Sequence, residues 1–325
     1  MDDGAHANRQ YSVERLDEFR SRLEPYAELA TEHDVCVYVT GSYGRLEAWA
    51  GSDIDIFLLG ASGTRERKLP WLKETKLMAG LITEAEAMRF PPFSGDGKWL
   101  RIQYVDEIAQ ILGSAEDDSE NAFTARMLLL LESRPLVGEA LYGQLVSDVV
   151  DLYFRDFADY SDRFIPGFLT NDILRFWRTL TLNYEYERMR VAADEPVAKA
   201  GAALRNYKLK FSRLSTCFSM VTNLASLAAP VTRQQVIELT RMTPRERFAR
   251  VAQASAEARH LVDELDERYG AFLRTVQRPK DELLVELQTH EARSRFLQDA
   301  GQFGTTIYGL LREVAQEGRM RYLVV

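Results

Sequence analysis

The sequence is poor in the residues that build disulfide frameworks and zinc centres. It contains 2 cysteines, Cys36 and Cys217, each within an apolar stretch, and 4 histidines in 325 residues. Two cysteines cannot form a disulfide framework or a cysteine-rich zinc site, and the histidines show no metal-ligand spacing. We therefore expect two buried, reduced thiols and no zinc centre.

Positive charge is also scarce. Lys and Arg number 41 against 49 Asp and Glu, which gives a net charge of −8 and a pI near 5.3. An acidic surface repels a phosphate backbone, and duplex-binding domains usually carry a basic excess or stripe. Duplex nucleic acid is therefore not an expected partner, whereas a small molecule, a protein or a nucleic-acid end is compatible with this charge.

One uncharged run is long enough to raise the question of a membrane segment. It extends from Leu214 to Thr232, contains Ser, Thr and Asn, and follows the basic segment KLKFSR, which together indicate a buried helix. The N-terminus carries Asp2 and Asp3 instead of basic residues before an apolar core. We expect a cytoplasmic protein without a membrane segment.

Hydrophobic patterning places strands in the N-terminal part of the chain. A helical pattern from about Ser12 to His33, with Ser12 as its expected N-cap, precedes two strand-like runs, VCVYVT and DIDIFLL. A further strand is expected from Trp99 to Val105. From Glu116 onward helical patterns dominate, and the first of the long ones stops at Pro135.

The later helices are separated by prolines, at positions 166, 196, 230, 244 and 279. The predicted fold class is α+β, with an α/β domain over residues 1–140 and an all-helical domain over residues 141–325. Two units of these lengths match normal domain sizes.

Candidate chemistry is concentrated between Val37 and Leu59, in VYVTGSYGRLEAWAGSDIDIFLL. A strand ends at Gly41, which lets backbone amides approach a ligand, and Ser42 supplies a hydroxyl. Residues from 43 onward are expected to open a helix, whose N-terminus favours phosphate. The next strand carries Asp53 and Asp55, which share one face because side chains alternate with period two.

Two neighbouring carboxylates repel each other, and burying them without compensation is costly. A divalent cation removes this conflict, and hard oxygen ligands suit Mg²⁺ or Mn²⁺, which keep some water and share substrate phosphates. Two such ions can stabilise the attacking and leaving oxygens of an in-line displacement. The pattern therefore predicts a metal site at Asp53 and Asp55.

The arrangement apolar–Gly–Ser, then about ten residues, then Asp–apolar–Asp–apolar resembles the signature of DNA polymerase β superfamily nucleotidyltransferases. The segment GSYGRLEAWAGSDIDIFLL is similar to the nucleotidyltransferase domain of PII uridylyltransferases. It also resembles related bacterial domains joined to CBS or cyclic-nucleotide-binding modules. The resemblance extends into the helical part through EDDSENAFTARMLLLLESRPLVGE and FLTNDILRFWRTLTLNYE.

This resemblance implies a polymerase-β-like domain, with a mixed sheet and flanking helices, and a helical domain that closes the nucleotide cleft. It implies metal-dependent transfer of a nucleoside monophosphate from a nucleoside triphosphate to a hydroxyl or phosphate acceptor, with release of pyrophosphate. By the same resemblance Gly41 and Ser42 bind the triphosphate, and Asp53 and Asp55 are the catalytic metal ligands. Arg45 contacts phosphate or, alternatively, pairs with Glu47.

The acceptor is open on sequence grounds. A protein or a small molecule is favoured, and synthesis of a nucleotide signal stays an alternative. Template-directed polymerisation is not expected for an acidic chain without a visible duplex-binding module.

The family's third carboxylate is missing from its expected strand, KWLRIQYV, where Arg101 and Gln103 stand instead. Asp96, in the SGDG turn before this strand, is the predicted catalytic substitute, and the alternative for it is an ordinary turn residue. Asp106 and Glu107, after the strand, are poorer substitutes. The gap motivates a second hypothesis, a catalytically weakened nucleotide-sensing or protein-interaction module of the same fold.

The helical part offers three further nucleotide-binding candidates. Arg175 and Arg178 lie on neighbouring positions of a helix expected to be capped by Thr170 or Asn171, and Lys208 lies in RNYKLKFSR. Ion pairing, as with Asp172, is the alternative for the arginines, and a solvated face is the alternative for the lysine.

Overall fold

The computed structural model describes residues 3–64, 66, 68–93, 97, 100–190 and 195–323, without the side chains of residues 3, 5 and 322. The fold is α+β, as predicted, with a four-stranded mixed sheet and a large helical part. The chain forms two compact units. The sheet unit consists of His6–Ser161 and Thr232–Thr243. The helical unit consists of Asp162–Val231, Pro244–Val325 and the first five residues.

The sheet unit contains all the described strands and the helices that flank them. In chain order its elements are α1 (Asp3–Thr31, which begins in the helical unit), β1 (Val35–Thr40), α2 (Gly41–Gly44), β2 (Asp55–Gly60), α3 (Trp71–Ala87), β3 (Ile102–Tyr104), α4 (Val105–Ile111), α5 (Ala115–Ser119), α6 (Ala122–Glu132), β4 (Arg134–Val137), α7 (Glu139–Asp151) and the 3₁₀ turn Phe157–Tyr160.

The helical unit follows, and one helix returns from it to the sheet unit. The elements are α8 (Gly167–Met189), α9 (Pro196–Lys208), the π-helical segment Leu209–Arg213, α10 (Leu214–Ser226), α11 (Arg233–Thr240, in the sheet unit), α12 (Pro244–Val251), α13 (Ala256–Val276), α14 (Lys280–Glu286), α15 (His290–Val314) and the 3₁₀ turn Arg319–Leu323.

The sheet has the strand order β3-β2-β1-β4. Its central strand β1 runs antiparallel to β2 and β4, and β2 runs parallel to β3. Every residue of β1 is buried, as expected for an apolar, β-branched run that is covered on both faces. Pairing between β1 and β2 extends from Val35↔Gly60 to Thr40↔Asp55, which brings the end of one strand opposite the start of the next.

The first helix begins earlier than the sequence pattern indicates. It starts at Asp3, so Ser12 lies inside it and the predicted N-cap at Ser12 is wrong. The buried Ser12 hydroxyl donates to the carbonyl of Asn8 at 2.7 Å and accepts from the amide of Ala48 at 2.9 Å. Ser12 thus anchors a distant loop instead of a helix end.

A fourth strand interrupts the region that the pattern makes helical. Helix α6 ends at Glu132, and Pro135 lies within β4, opposite Tyr38 of β1. The pairing register shifts between Val37 and Tyr38. Proline is tolerated in a sheet at edge strands and irregularities, because it has no amide hydrogen to donate, and β4 is an edge strand.

The observed division of the chain differs from the predicted boundary at residue 140. That position lies within α7 of the sheet unit, which continues to Ser161 and also includes α11. Helix α11 packs against α6 and α7. Local composition does not reveal a segment that returns from one unit to the other, and the contacts within the chain place residues 141–161 in the sheet unit.

The helical unit is built around stacked aromatic side chains. The ring of Phe211 lies 4.7 Å from that of Phe272 and 4.4 Å from that of Phe303, measured between centroids. The uncharged run forms the largely buried helix α10, as predicted. The five prolines separate helices, as predicted: Pro166, Pro196, Pro244 and Pro279 lie at or directly before a helix start, and Pro230 lies in the loop between α10 and α11.

The uncharged run from Leu214 to Thr232 raised the question of a membrane segment. Across the described part of the chain, every helix is too short or too polar to cross a membrane.

Candidate functional site

The site begins at a sharp turn where β1 ends. Gly41 has a φ of +68°, in the left-handed region that favours glycine. The helix expected from residue 43 is instead the single turn α2, Gly41–Gly44, which ends before Arg45. A helix of four residues does not provide the extended dipole that the sequence suggested, so this part of the expectation is corrected.

The Asp55 carboxylate packs directly against this turn. A Cβ added to Gly41 would lie 2.6 Å from Oδ2 of Asp55, which is closer than real atoms of this kind approach. The contact follows from the strand register, in which Thr40 is paired with Asp55. The structure thus brings the predicted glycine and the second predicted aspartate together.

Ser42 and Asp53 lie at the same end of the sheet by chain connectivity. Ser42 is half-buried immediately after Gly41, and Asp53 is exposed two residues before Asp55, which is half-buried. Ile54 and Ile56 are buried. The predicted strand start at Asp53 is wrong, because β2 begins at Asp55 and Asp53 and Ile54 precede it. Period-two alternation therefore does not cover Asp53, and a shared face for the two carboxylates stays a prediction.

Arg45 is buried beneath the turn. Its Nε donates to Oε2 of Glu47 at 2.8 Å, and one terminal nitrogen donates to Oε2 of Glu132 at 2.7 Å. All three side chains are almost completely inaccessible to solvent. Of the two alternatives for Arg45, the structure contains the ion pair with Glu47, and the guanidinium is engaged there and not exposed for a phosphate.

Glu132 is a site residue that sequence reasoning missed. Its Oε1 accepts from the Gly41 amide at 3.3 Å while Oε2 accepts from Arg45. Its backbone also abuts the turn, because a Cβ at Gly44 would lie 1.8 Å from the Glu132 carbonyl oxygen. The available signal was a single acid after the apolar run MLLLL, since a carboxylate buried at the end of such a run needs a partner.

The loop between the turn and β2 is held by hydrogen bonds that its backbone amides donate. The Ser52 amide donates to the Trp49 carbonyl at 2.8 Å, and the Ser52 hydroxyl accepts from the Trp49 amide at 3.1 Å. Ala48 is tied to Ser12 of α1, as described above. These contacts hold the loop that leads to Asp53 and Asp55.

The predicted third carboxylate, Asp96, lies outside the described residues, as does Trp99. In β3, Gln103 accepts from Nε of Arg101 at 2.8 Å in the amide orientation that satisfies both side chains. Arg101 also pairs with Glu120 at 3.5 Å, where both side chains are exposed. Arg101, directly before β3, and Gln103, within it, therefore bond to each other, and neither supplies a carboxylate.

The Asp106 carboxylate is occupied as a loop anchor. It accepts from the Ser62 hydroxyl at 2.7 Å and from the amides of Gly63 and Glu107, each at 2.8 Å. Burial raises the pKa of Asp106, but these hydrogen bonds outweigh burial and hold it below its ordinary value of 3.8. Glu107 is exposed. Within the described ranges, no group of three or more His, Cys, Asp or Glu side chains is arranged to hold a metal.

The three basic candidates belong to the helical unit. Arg175 lies 3.6 Å from Asp172, which is the ion pair offered as the alternative. Arg178 is exposed on α8 and Lys208 is exposed at the end of α9. Helix α8 begins at Gly167, after Pro166, so the predicted caps at Thr170 and Asn171 are wrong. The Thr170 hydroxyl bonds to the Pro166 carbonyl instead.

No protein-family model matches the chain, and neither a curated protein nor a solved structure matches it. The candidate site rests on its own geometry. Ser42, Asp53 and Asp55 present oxygen ligands, and Gly41 forms the turn against which Asp55 packs. Buried Glu132 accepts hydrogen bonds from the Gly41 amide of that turn and from buried Arg45.

Proposed function

We propose that the chain is a polymerase-β-like nucleotidyltransferase, which moves a nucleoside monophosphate from a nucleoside triphosphate to an acceptor. The observation that carries this proposal is the contact between Asp55 and the Gly41 turn, with Ser42 after that turn and Asp53 before β2. A carboxylate pair beside a glycine turn combines a cation site with a place for phosphates. The mixed sheet with flanking helices agrees with this class.

In this proposal Ser42 is the principal phosphate ligand of the turn. The Gly41 amide already donates to Glu132 and does not donate to phosphate in this proposal. The role of Gly41 is to let the phosphate approach the backbone closely. The Ser42 hydroxyl lies next to it and is partly accessible. Arg45 supports the turn, and contacts from Arg175, Arg178 or Lys208 to the nucleotide stay predictions.

The donor set of Asp53 and Asp55 fits Mg²⁺ or Mn²⁺, because both side chains offer hard oxygen ligands and both retain access to solvent. Two protein carboxylates leave room for water and phosphate oxygens, as Mg²⁺ prefers. When bound, such ions would neutralise the triphosphate and the charge that develops on the leaving pyrophosphate. Asp53 and Asp55 would hold them at the start of β2.

The proposed reaction is an in-line attack by an acceptor oxygen on the α-phosphorus. A new oxygen–phosphorus bond forms, the bond to the β-phosphate oxygen breaks, and pyrophosphate leaves. If the acceptor is a hydroxyl, its proton passes to a general base, for which Asp96 is our assignment from the sequence. A protein or small-molecule acceptor accords with the acidic chain.

Transfer of label from α-labelled nucleoside triphosphates tests the proposal. Purified protein with Mg²⁺ is incubated with a lysate of the source organism, and product is sorted into protein, RNA and small molecules. Asp53→Asn and Asp55→Asn should each lower transfer on the order of a hundredfold or more, because each removes a charged ligand. The control is Asp17→Asn, an exposed acid of α1, which should leave transfer unchanged. Active Asp53→Asn and Asp55→Asn variants would refute the assignment.

A specific observation also supports the second candidate, a nucleotide-sensing module of the same fold. The three residues of β3 include no Asp or Glu, and the Asp106 carboxylate accepts from Ser62 and Gly63. Calorimetry separates the candidates. Tight binding of nucleoside triphosphate with Mg²⁺, without turnover on any lysate acceptor, favours the sensor, whereas labelled product favours the transferase.

A further inference from the structure

The helical unit contains a cavity of about 500 Å³, and none of its lining residues has been assigned a role in transfer above. One face each of α8, α9 and α15 lines it, with residues at helical spacing, such as Ala202, Ala203 and Asn206 on α9. This volume lies within the range of small-molecule sites.

The cavity lining is positively charged. Arg188, Lys199 and Arg293 contribute to it, and among the residues that the structure describes no Asp or Glu lines it. This local excess contrasts with a net charge of −8 for the whole chain. Glu185 pairs with Arg188 at 2.7 Å, but both side chains are about half exposed, so water screens that pair. The lining therefore favours an anion.

Lys199 and Arg293 are held at the cavity in different ways. Lys199 lies one turn from the start of α9, where the helix dipole disfavours positive charge. Arg293 is oriented by hydrogen bonds from one terminal nitrogen to the carbonyls of Leu287 at 3.0 Å and Gln288 at 2.6 Å. These carbonyls lie at the end of α14, so Arg293 also stabilises that helix end. Among the described residues, no carboxylate pairs with this guanidinium.

The rest of the lining is aromatic or apolar. The rings of Tyr207 and Phe296 lie 4.6 Å apart between centroids, and the Tyr207 hydroxyl donates to Asp299 at 2.7 Å, outside the cavity lining. Met189 and Leu297 also line the cavity, yet they are 80% and 53% exposed. Such side chains offer apolar surface to a ligand that enters.

We propose that this cavity binds a small organic anion in which one phosphate or carboxylate group is attached to an aromatic or aliphatic body. The negative group faces Lys199, Arg188 and Arg293, and the body packs on Tyr207, Phe296 and the exposed Met189. The cavity lies wholly within the helical unit, so this binding requires neither Asp53 nor Asp55.

Titration with 8-anilino-1-naphthalenesulfonate, which joins an anion to an aromatic body, tests the proposal on the full chain in EDTA. Wild type should show saturable fluorescence enhancement. Lys199→Glu and Arg188→Glu should each weaken binding by about ten-fold or more, because a repulsive charge replaces an attractive one. Ala203→Trp, which fills the cavity without a change of charge, should abolish saturable binding.

Lys280→Glu is the matched control, since Lys280 is an exposed lysine of the same unit outside the cavity, and it should bind like wild type. Thermal melts verify that each variant is folded. Unchanged binding in folded Lys199→Glu or in folded Ala203→Trp would overturn the proposal.

Competition identifies the body of the ligand. Displacement by AMP supports an aromatic body, and displacement by decanoate supports an aliphatic one. Equal displacement by inorganic phosphate, or displacement by none of the three, would overturn the proposal. Asp55→Asn should bind the dye like wild type, so the result is independent of the proposed transferase activity.

Discussion

The Asp55 carboxylate lies against the Cα of Gly41, at a distance that leaves no room for a side chain there. Gly41 and Asp55 are 14 positions apart in the chain. They meet because Thr40, which precedes Gly41, pairs with Asp55 at the end of the β1–β2 register. The two halves of the sequence motif therefore form one structural unit, and each should fail when the other is altered.

Gly41→Ala should be damaging for two reasons. A left-handed φ costs roughly 1–2 kcal/mol for a residue with a Cβ, and that Cβ would push Asp55 out of place. We expect the free energy of unfolding to fall by at least this amount and label transfer to be lost. Urea denaturation and the transfer assay measure the two effects.

The matched control for Gly41→Ala is Gly143→Ala in α7, where an added Cβ meets nothing within 4 Å. Replacement of a glycine inside a helix by alanine should raise the free energy of unfolding by about 0.5–1 kcal/mol and leave label transfer unchanged. A Gly41→Ala variant as stable and active as wild type would show that the contact with Asp55 is not needed.

Glu132 should act as a positioning residue through its bonds to Gly41 and Arg45. Glu132→Gln removes the charge from a buried pair and leaves the shape, so it should lower the free energy of unfolding by about 3 kcal/mol. If the variant still folds, its KM for nucleoside triphosphate should rise more than its kcat falls, because the turn carrying Ser42 is displaced.

A double-mutant cycle separates this role from general damage. The free energy of unfolding lost in the double variant Arg45→Met/Glu132→Gln should be smaller than the sum of the losses in the two single variants. In Glu132→Gln the buried guanidinium of Arg45 lacks this partner, whereas in the double variant the guanidinium is absent. Additive losses would contradict the coupling between Arg45 and Glu132.

Asp106 should make stability depend on pH. Its pKa is lower in the folded chain than in the unfolded chain. The stabilisation is therefore complete above the ordinary value of 3.8 and is lost as pH falls through the folded pKa. Asp106→Asn should be less stable than wild type at pH 7 and at pH 5, and the difference should shrink towards pH 3.

Chemical denaturation at each pH measures this difference, with Glu107→Gln, a change at the exposed neighbouring acid, as control. A difference between wild type and Asp106→Asn that stays constant down to pH 3 would argue against a charged Asp106 as the loop anchor.

The two thiols should be unreactive in the native chain. Cys36 and Cys217 are fully buried, and burial raises the pKa of the Cys36 thiol to about 12. Ellman's reagent at pH 8 should detect no thiol in native protein and both in guanidinium. Ser21→Cys, on the exposed face of α1, should add one fast-reacting thiol. Rapid modification of the native wild type would contradict the buried positions.

Local patterns predicted most of the elements but few of the contacts. The apolar run of β1, the buried helix α10 and the proline boundaries depend on neighbours in sequence, and all three are confirmed. Ser12 is a counterexample, since its contact with Ala48 lies 36 positions away and no local rule indicates it.

The same distinction applies to the candidate site. The motif identified Gly41, Ser42, Asp53 and Asp55 because they are close in sequence. Glu132 lies 91 positions from Gly41, and only the packing of α6 beside β1 brings it to the turn. The role of Arg45 was undecided for the same reason, since one of its two acidic partners could not be seen from the sequence.

The return of α11 to the sheet unit means that neither unit is encoded by one uninterrupted stretch of gene. A fragment ending at Ser161 would lack α11, whose buried residues Val236, Ile237 and Leu239 form part of that unit. Deleting 232–243 and joining Val231 to Pro244 would keep the helical unit's own segments together. Separating the two units therefore requires removal of a short internal segment and joining of the chain across the gap. Truncation at a single position does not achieve this.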